Sequence, residues 1–313
     1  MATALHSPST NRLTPNKGYV GRFAPSPSGH LHFGSLVTAL GSFLQAKSQN
    51  GQWLLRIEDI DPPREVAGAT DSILNCLEAH HLFWDGEVIY QSDRSELYNQ
   101  KIQYLASQGL TYHCRCTRKQ LAIVPQNQLC DCADQNLSIA NSAIRFKHHD
   151  VQKGFNDNLL GRVNFNTQHI PAQFAIKRKD QLFAYQLAVV VDDIQQGITE
   201  VARGADLIDA TLFQLALYQA FDTPAPQFLH FPVVVTAPGK KLSKQNHAVP
   251  VNNLEARENL INAIEFLGLS PSIQLKKGSV ADILEWAIQV WNVNAVAAKT
   301  ECIDNRIGQS DSI

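Results

Sequence analysis

The stretch Arg22-Phe23-Ala24-Pro25-Ser26-Pro27-Ser28-Gly29-His30-Leu31-His32-Phe33-Gly34-Ser35 leaves few architectures open to this chain. Tyr19-Val20-Gly21-Arg22-Phe23 reads as a strand, and the Pro/Ser/Gly run after it reads as a turn. From about His32 the pattern is helical, with Leu36, Leu40, Phe43 and Leu44 on one apolar face. A strand, a tight turn and a helix start aim unpaired backbone N–H groups and the positive end of a helix dipole at an anion above the turn. His30 and His32 stand at that mouth, where imidazoles stabilise extra negative charge as a phosphorus centre is attacked. For a lone His-x-His the alternative is a surface or helix-capping role.

A chain of 313 residues is long enough for roughly two domains, or one domain with an insertion. A hydrophobic content of 44%, with 18% charged residues, supports a sizeable core. The formal net charge of −2 excludes a strongly basic nucleic-acid coat, although a local patch inside a neutral total still permits such a partner. No apolar run approaches the roughly 18 residues of a membrane span, and residues 1–17 lack the apolar core of a secretory signal. These features predict a cytoplasmic protein with a loose leader over 1–17.

Gln52-Trp53-Leu54-Leu55-Arg56-Ile57-Glu58-Asp59-Ile60-Asp61 reads as a buried strand ending in acids. Ligands of open α/β sheets sit at the carboxyl ends of strands, which brings Glu58 near the phosphate turn. A solvated acidic strand end is the plainer reading. Helices are predicted from Ala69 to Leu82 and from Ser95 to Ser107, completing the first half of a doubly wound sheet.

Cys114-Arg115-Cys116 and Cys130-Asp131-Cys132 place four of the six cysteines in two Cys-x-Cys pairs separated by thirteen residues. A short loop folding back presents four thiolates to one ion, and zinc suits such a closed tetrahedral sulfur site best. Its role is then structural. Free structural thiols are the alternative, disulfides being the less favoured use in a cytoplasmic chain. Cys76 and Cys302 have no partner pattern.

The segment from Ala143 to Arg178 contains short alternating runs, Ile144-Arg145-Phe146-Lys147 and Arg162-Val163-Asn164-Phe165, read as hairpin strands of an insertion. Lys177, Arg178 and Lys179 form a small basic cluster that a solvated turn explains nearly as well. Sheet character is predicted to resume over Leu182 to Asp193, followed by a strand and loop at Thr199 to Leu207 and a helix at Leu212 to Phe221. His230 to Val235 reads as the last core strand, leading into Lys240-Lys241-Leu242-Ser243-Lys244-Gln245. Two helices follow, marked by Leu260, Ile264 and Leu267, and by Val280, Ile283, Leu284, Ala287 and Trp291; Thr300 to Ile313 trails off in polar residues.

The Arg22 to Gly34 run resembles the HIGH signature of class I aminoacyl-tRNA synthetases in the form used by the glutamyl and glutaminyl branch. Lys240 to Gln245 resembles the KMSKS loop of the same family, in the same order along the chain, with Gln245 in place of the usual final Ser. The resemblance covers roughly residues 18–295. It implies an α/β fold: a Rossmann catalytic domain of the class I synthetase type, with a zinc-containing insertion and a short helical C-terminal segment. The expected divisions are a leader at 1–17, the first catalytic half at 18–110, the insertion at 111–181, the second half with the Lys-Leu-Ser-Lys-Gln loop at 182–250, and the helical segment at 251–313.

The resemblance further implies catalytic roles for His30, His32 and Lys244. Glutamate would be bound by Arg22, Phe23, Ala24, Pro25, Ser26, Glu58, Tyr185 and Arg203, with Glu58 on the amino group. ATP, accompanied by Mg, would be bound by Gly34, Ser35, Lys241 and Lys244. Guanidinium groups are natural partners for carboxylates, and Arg22 and Arg203 supply two; a structural pair between Arg203 and Asp206 is the alternative. Relatives of the short glutamyl type carry Cys-x-Cys and then a Tyr with a Cys four residues later. Cys114, Cys116 and Cys132 match three of these ligands, while Gln128 occupies the Tyr position. Cys130 is then the expected fourth ligand, with Asp131 or His113 as substitutes.

The short stretch after the Lys-rich loop resembles a truncated branch of the family that lacks the anticodon-binding region. Members of that branch activate glutamate with ATP without needing tRNA and attach it to the queuosine base in the anticodon of tRNA(Asp). A minimal synthetase charging a tRNA 3′ end and a zinc-containing RNA-binding protein without catalysis are the other two readings. No sequence feature points beyond a monomer.

Overall fold

The structure, a computed structural model, describes residues 18–148, 152–166, 170–241 and 249–304. Strand β1 (Val20–Phe23) leads through the Pro/Ser/Gly turn to helix α1 (Phe33–Lys47), which returns to strand β2 (Gln52–Ile57), parallel to β1 with Arg22 opposite Leu54. Gly29 takes φ +131° in that turn, a conformation other residues rarely adopt. His32 caps α1: its Nδ1 accepts from the Ser35 backbone N–H at 3.3 Å. Leu36, Leu40, Phe43 and Leu44 are all buried, as their spacing requires. Gly41 lets the ring of Phe231 lie against the helix, since a Cβ there would stand 2.8 Å from it.

Helix α2 (Ala69–Ala79), strand β3 (Ile89–Tyr90), parallel to β2, and helix α3 (Ser95–Ser107) complete the first half. The chain then builds strand β4 (Thr111–Cys114), a short helix α4 (Arg118–Ala122), strand β5 (Ala143–Lys147), strands β6 (Gly154–Asp157) and β7 (Gly161–Asn164), and strand β8 (Gln173–Lys177). Strands β4, β5 and β8 form an antiparallel sheet of their own. Helix α5 (Tyr185–Gln196), strand β9 (Glu200–Gly204), helix α6 (Ile208–Ala220) and strand β10 (Gln227–Phe231) follow.

Strand β10 lies between β9 and β6, parallel to both, with β7 antiparallel on the outer edge of β6. The Thr199 N–H donates to the Val20 carbonyl at 2.9 Å, and the Val20 N–H donates to Thr199 Oγ1 at 2.9 Å, joining the two halves. The strands therefore run β3-β2-β1-β9-β10-β6-β7, a doubly wound sheet whose order reverses between β1 and β9. Ligands of such sheets collect beyond the carboxyl ends of the strands at this reversal. Arg22 on β1 and Arg203 on β9 sit on its two sides.

Strand β11 (Val233–Ala237) and the two-residue β12 (Lys240–Lys241) form a hairpin, and the chain continues into helices α7 (Ala256–Phe266) and α8 (Val280–Val290). Leu260, Ile264, Ile283, Leu284 and Ala287 share one core with the buried face of α1, Trp53 and Phe231, so the C-terminal helices pack behind the doubly wound sheet. Among the described residues no helix is long and apolar enough to cross a membrane.

Four expectations need correction. The run Leu187 to Asp193 lies in helix α5, not in a strand. It packs with α3, the insertion sheet and α6 in a second core and is buried on every side, so a helical period is lost and its valines imitate a buried strand. His230 to Val235 is not one strand: Pro232 separates β10 from β11 because it cannot donate to a ladder. The Arg162 to Phe165 run does form a hairpin strand, but it extends the doubly wound sheet through β6 and not the sheet of β4, β5 and β8. The polar tail is not structureless throughout, because Glu301–Ile303 forms β13, parallel to β11.

Candidate active site and cysteine cluster

A cleft of about 620 Å³ opens over the junction of β1 and β9. Arg22, Phe23, Ala24, Pro25, Ser26, His32, Gly34, Ser35, Glu58, Tyr185 and Arg203 all line it. Arg64, Thr38 and Leu207, which the sequence reading did not assign, line it too, as does Asp206, the alternative partner for Arg203. A side pocket of about 320 Å³ adjoins it and shares Ser26, Ser28, Glu58, Arg64 and Tyr185, adding Asp61, Glu65 and Arg178. Arg178 donates to Asp61 Oδ1 at 3.1 Å, so one member of the basic cluster faces the pocket rather than forming only a solvated turn.

Glu58 reaches the turn because its N–H donates to the Pro25 carbonyl at 2.9 Å. Its carboxyl is buried, with Oε1 lacking a hydrogen-bond partner and Arg56 Nη2 3.5 Å away. Burial pushes its pKa up to about 7, the Arg56 and Arg22 charges opposing the rise. Beneath the cleft, Arg22 Nε donates to Asp193 Oδ1 at 3.1 Å, and Arg56 Nη1 donates to the same oxygen at 2.8 Å. Arg56 is fully buried and also lies 3.7 Å from Asp192 Oδ2. Asp192 in turn accepts from Gln91, Arg94 and Tyr98. Sequence reasoning missed Arg56, Asp192 and Asp193. The available signal was an Arg inside an apolar strand and two adjacent Asp at the end of an apolar run, since buried charges must be paired.

Arg203 is buried, and among the described residues its hydrogen bonds go to neutral groups alone: Nε to His230 Nε2 at 3.1 Å, Nη1 to Tyr185 Oη at 3.4 Å, and Nη2 to Thr211 Oγ1 at 2.8 Å and to the Leu207 carbonyl at 3.3 Å. A desolvated guanidinium held this way gains most from an anion entering the cleft.

His32 is half-buried, with Nε2 3.2 Å from Ser35 Oγ. His30 is exposed, and its Nδ1 lies 2.5 Å from Ser72 Oγ on α2. The backbone of Lys241 pairs with Val235 in the β11–β12 hairpin. Lys244 lies outside the described residues.

The Sγ atoms of Cys114, Cys116, Cys130 and Cys132 lie within 4.8 Å of one another, with Cys114 to Cys130 at 3.6 Å and Cys116 to Cys132 at 3.5 Å. Sulfurs at the corners of a tetrahedron around zinc stand about 3.8 Å apart, from a Zn–S distance of about 2.3 Å. The donor set and its dimensions therefore fit zinc. Cys130 turns inward with the other three, so neither substitute is needed: Asp131 is exposed and His113 Nδ1 lies 2.9 Å from Ser142 Oγ. Tyr112 Oη lies 3.3 Å from Cys130 Sγ. Cys76 is buried and Cys302 half-buried, both away from the cluster.

Residues 19–300 match the family model described as tRNA synthetases class I (E and Q), catalytic domain. A glutamyl-Q tRNA(Asp) synthetase of Photobacterium profundum is 47% identical over 291 residues, covering 93% of this chain and 94% of the relative. One of Yersinia pseudotuberculosis is 48% identical over 278 residues, 89% of this chain and 84% of the relative. Among solved structures, the glutamate-tRNA synthetase of Elizabethkingia anophelis superposes with a TM-score of 0.76 at 23% identity, over 92% of this chain and 68% of that one, a likeness of fold. The signature turn, the doubly wound sheet and these matches agree: the chain belongs to the class I tRNA synthetases of the E and Q type, whose catalytic domain it matches over residues 19–300.

Proposed function

We propose that this chain is a ligase that activates L-glutamate with ATP, without needing tRNA, and transfers the glutamyl group to the queuosine base in the anticodon of tRNA(Asp). The relatives at 47–48% identity carry the name of that activity, and they match nearly the whole chain. The observation that carries the substrate reading is the pairing of Arg22 and Arg203 in one cleft with Glu58 between the same walls. Two guanidiniums and one carboxyl complement an amino acid with two carboxylates and one ammonium group.

In this reading Glu58 receives the ammonium group, while Arg203 and Tyr185 face a carboxylate. Phe23, Ala24, Pro25 and Ser26 form the floor beside Arg22. The α-carboxylate attacks the α-phosphorus of ATP in line, giving glutamyl-adenylate and pyrophosphate. A carboxylate is nucleophilic enough without a general base, so the rate comes from positioning and charge stabilisation. The start of α1, with Gly34, Ser35, His32 and His30, supplies donors on one side of the phosphates. Lys241 and Lys244 supply positive charge on the other as pyrophosphate leaves, and Mg accompanies the ATP. A hydroxyl of the modified nucleoside then takes the acyl group.

Cys114, Cys116, Cys130 and Cys132 would hold a structural zinc that cross-links the loop between β4 and β5. A cytoplasmic location is part of the same proposal. The chain is proposed to act as a monomer. The divisions at 110, 181 and 250 are part of the same proposal, with β6 and β7 of the middle segment adding to the sheet of β9 and β10.

The test is pyrophosphate exchange with the chain, ATP and Mg in the absence of tRNA. Exchange dependent on L-glutamate, and much weaker with L-glutamine or L-aspartate, is the expected outcome. No exchange with any amino acid would reject the activation step.

A further inference from the structure

Behind Arg203 lies a buried chain of polar groups that never reaches the cleft surface. His230 on β10 is fully buried; its Nε2 is 3.1 Å from Arg203 Nε, and its Nδ1 is 2.7 Å from Asp157 Oδ2 at the end of β6. Asp157 Oδ1 accepts from the backbone N–H groups of Leu159 and Leu160, both at 2.9 Å, in the turn that leads to β7. A guanidinium N–H can only donate, so His230 Nε2 must carry the lone pair. The ring proton is then on Nδ1, where it donates to Asp157. Each group in the chain is fixed by what its neighbour can accept.

We infer that His230, held in its Nδ1–H tautomer by Asp157, is the positioning residue that aims Arg203 at the substrate carboxylate. This rests on the reading of Arg203 as a carboxylate ligand. The β6–β7 hairpin thereby acquires a role at the site, because its turn amides orient Asp157 and Asp157 orients the ring. The Arg203 Nη groups take their own direction from Thr211 Oγ1 and Tyr185 Oη, while Nε is set by the imidazole. Protonation would replace the Nε2 acceptor with a second donor facing the guanidinium. Burial holds the His230 pKa below the ordinary histidine value, with the Asp157 hydrogen bond opposing and the Arg203 charge reinforcing the shift. Burial also works against the Asp157 charge, but the His230 hydrogen bond and the turn amides outweigh it and hold that carboxyl low.

Two substitutions separate the ends of the ring. In His230→Asn the side-chain amide stands near the Nδ1 position and still donates to Asp157, but nothing reaches Arg203. In His230→Gln the amide oxygen stands near the Nε2 position and accepts from Arg203. The KM for glutamate in pyrophosphate exchange is expected to rise about tenfold or more in His230→Asn, as for a lost hydrogen bond to a charged group, and to stay within about threefold in His230→Gln. The KM for ATP stays within about twofold in both. Nitrogen-15 spectra of the histidine-labelled wild type should show His230 neutral at pH 7 with its proton on Nδ1.

Arg203→Gln serves as the control. If it leaves the glutamate KM unchanged, the carboxylate-ligand reading falls and this inference falls with it. If Arg203→Gln raises that KM but His230→Asn does not, the inference alone is overturned. An equal rise in both KM values with a lowered unfolding temperature, or an Nε2–H or imidazolium signal at pH 7, also overturns it.

Discussion

Asp193 on α5 receives Arg22 Nε at 3.1 Å and Arg22 Nη2 at 3.4 Å, so the carboxylate of a buried helix fixes a guanidinium of the first strand under the cleft. The same Asp193 oxygen also serves Arg56. Asp193→Asn would leave two buried guanidiniums short of their shared counter-charge. The expected loss is about 3–5 kcal/mol of stability, as when one partner of a buried ion pair is removed. Denaturant unfolding checks it, and a loss below about 1 kcal/mol would contradict the assigned network.

Glu58 makes glutamate binding sensitive to pH. Its pKa of about 7 lies above the ordinary 4.5, so the free folded protein keeps a proton there that the unfolded chain releases. Its contribution to stability is therefore complete below about pH 4.5 and disappears as pH rises through about 7. An ammonium group favours the charged form, so the KM for glutamate should fall from about pH 6 to about pH 8. Glu58→Gln should raise that KM and flatten the profile. A wild-type slope that persists in Glu58→Gln would assign the titration to another group.

The cysteine cluster predicts one zinc per chain by elemental analysis. Removing the metal, or Cys132→Ser, should lower the unfolding temperature by about 5 °C or more, because a structural zinc contributes directly to folding. A metal-free preparation with unaltered unfolding would reject the site.

Lys244 carries the expectation for the Lys-rich loop. Lys244→Ala should slow adenylate formation at least about tenfold while the fold is retained, since one lost transition-state contact costs a few kcal/mol. Unchanged pyrophosphate exchange would remove that role.

The parts of the site legible in the sequence are those that local chemistry fixes. The turn from Pro25 to Gly29, the His32 cap and the apolar face of α1 all follow from neighbours within a few residues. The two Cys-x-Cys pairs were legible because metal spacing is local as well. What stayed hidden depends on distant partners. Helix α5 reads as a strand because packing on all sides removes its period, and with that misreading the facing of Asp192 and Asp193 was lost. The Asp157–His230–Arg203 chain joins three strands across 73 and 27 positions of sequence, and nothing near any one residue announces the other two.

The central claim is tested most directly by transfer of labelled glutamate, with ATP, to three tRNAs: tRNA(Asp) bearing queuosine, the same tRNA without it, and tRNA(Glu). Label on the queuosine-bearing tRNA(Asp) alone is the expected result. Label on tRNA(Glu) would contradict it in favour of a minimal synthetase, and label on none would contradict the transfer step itself.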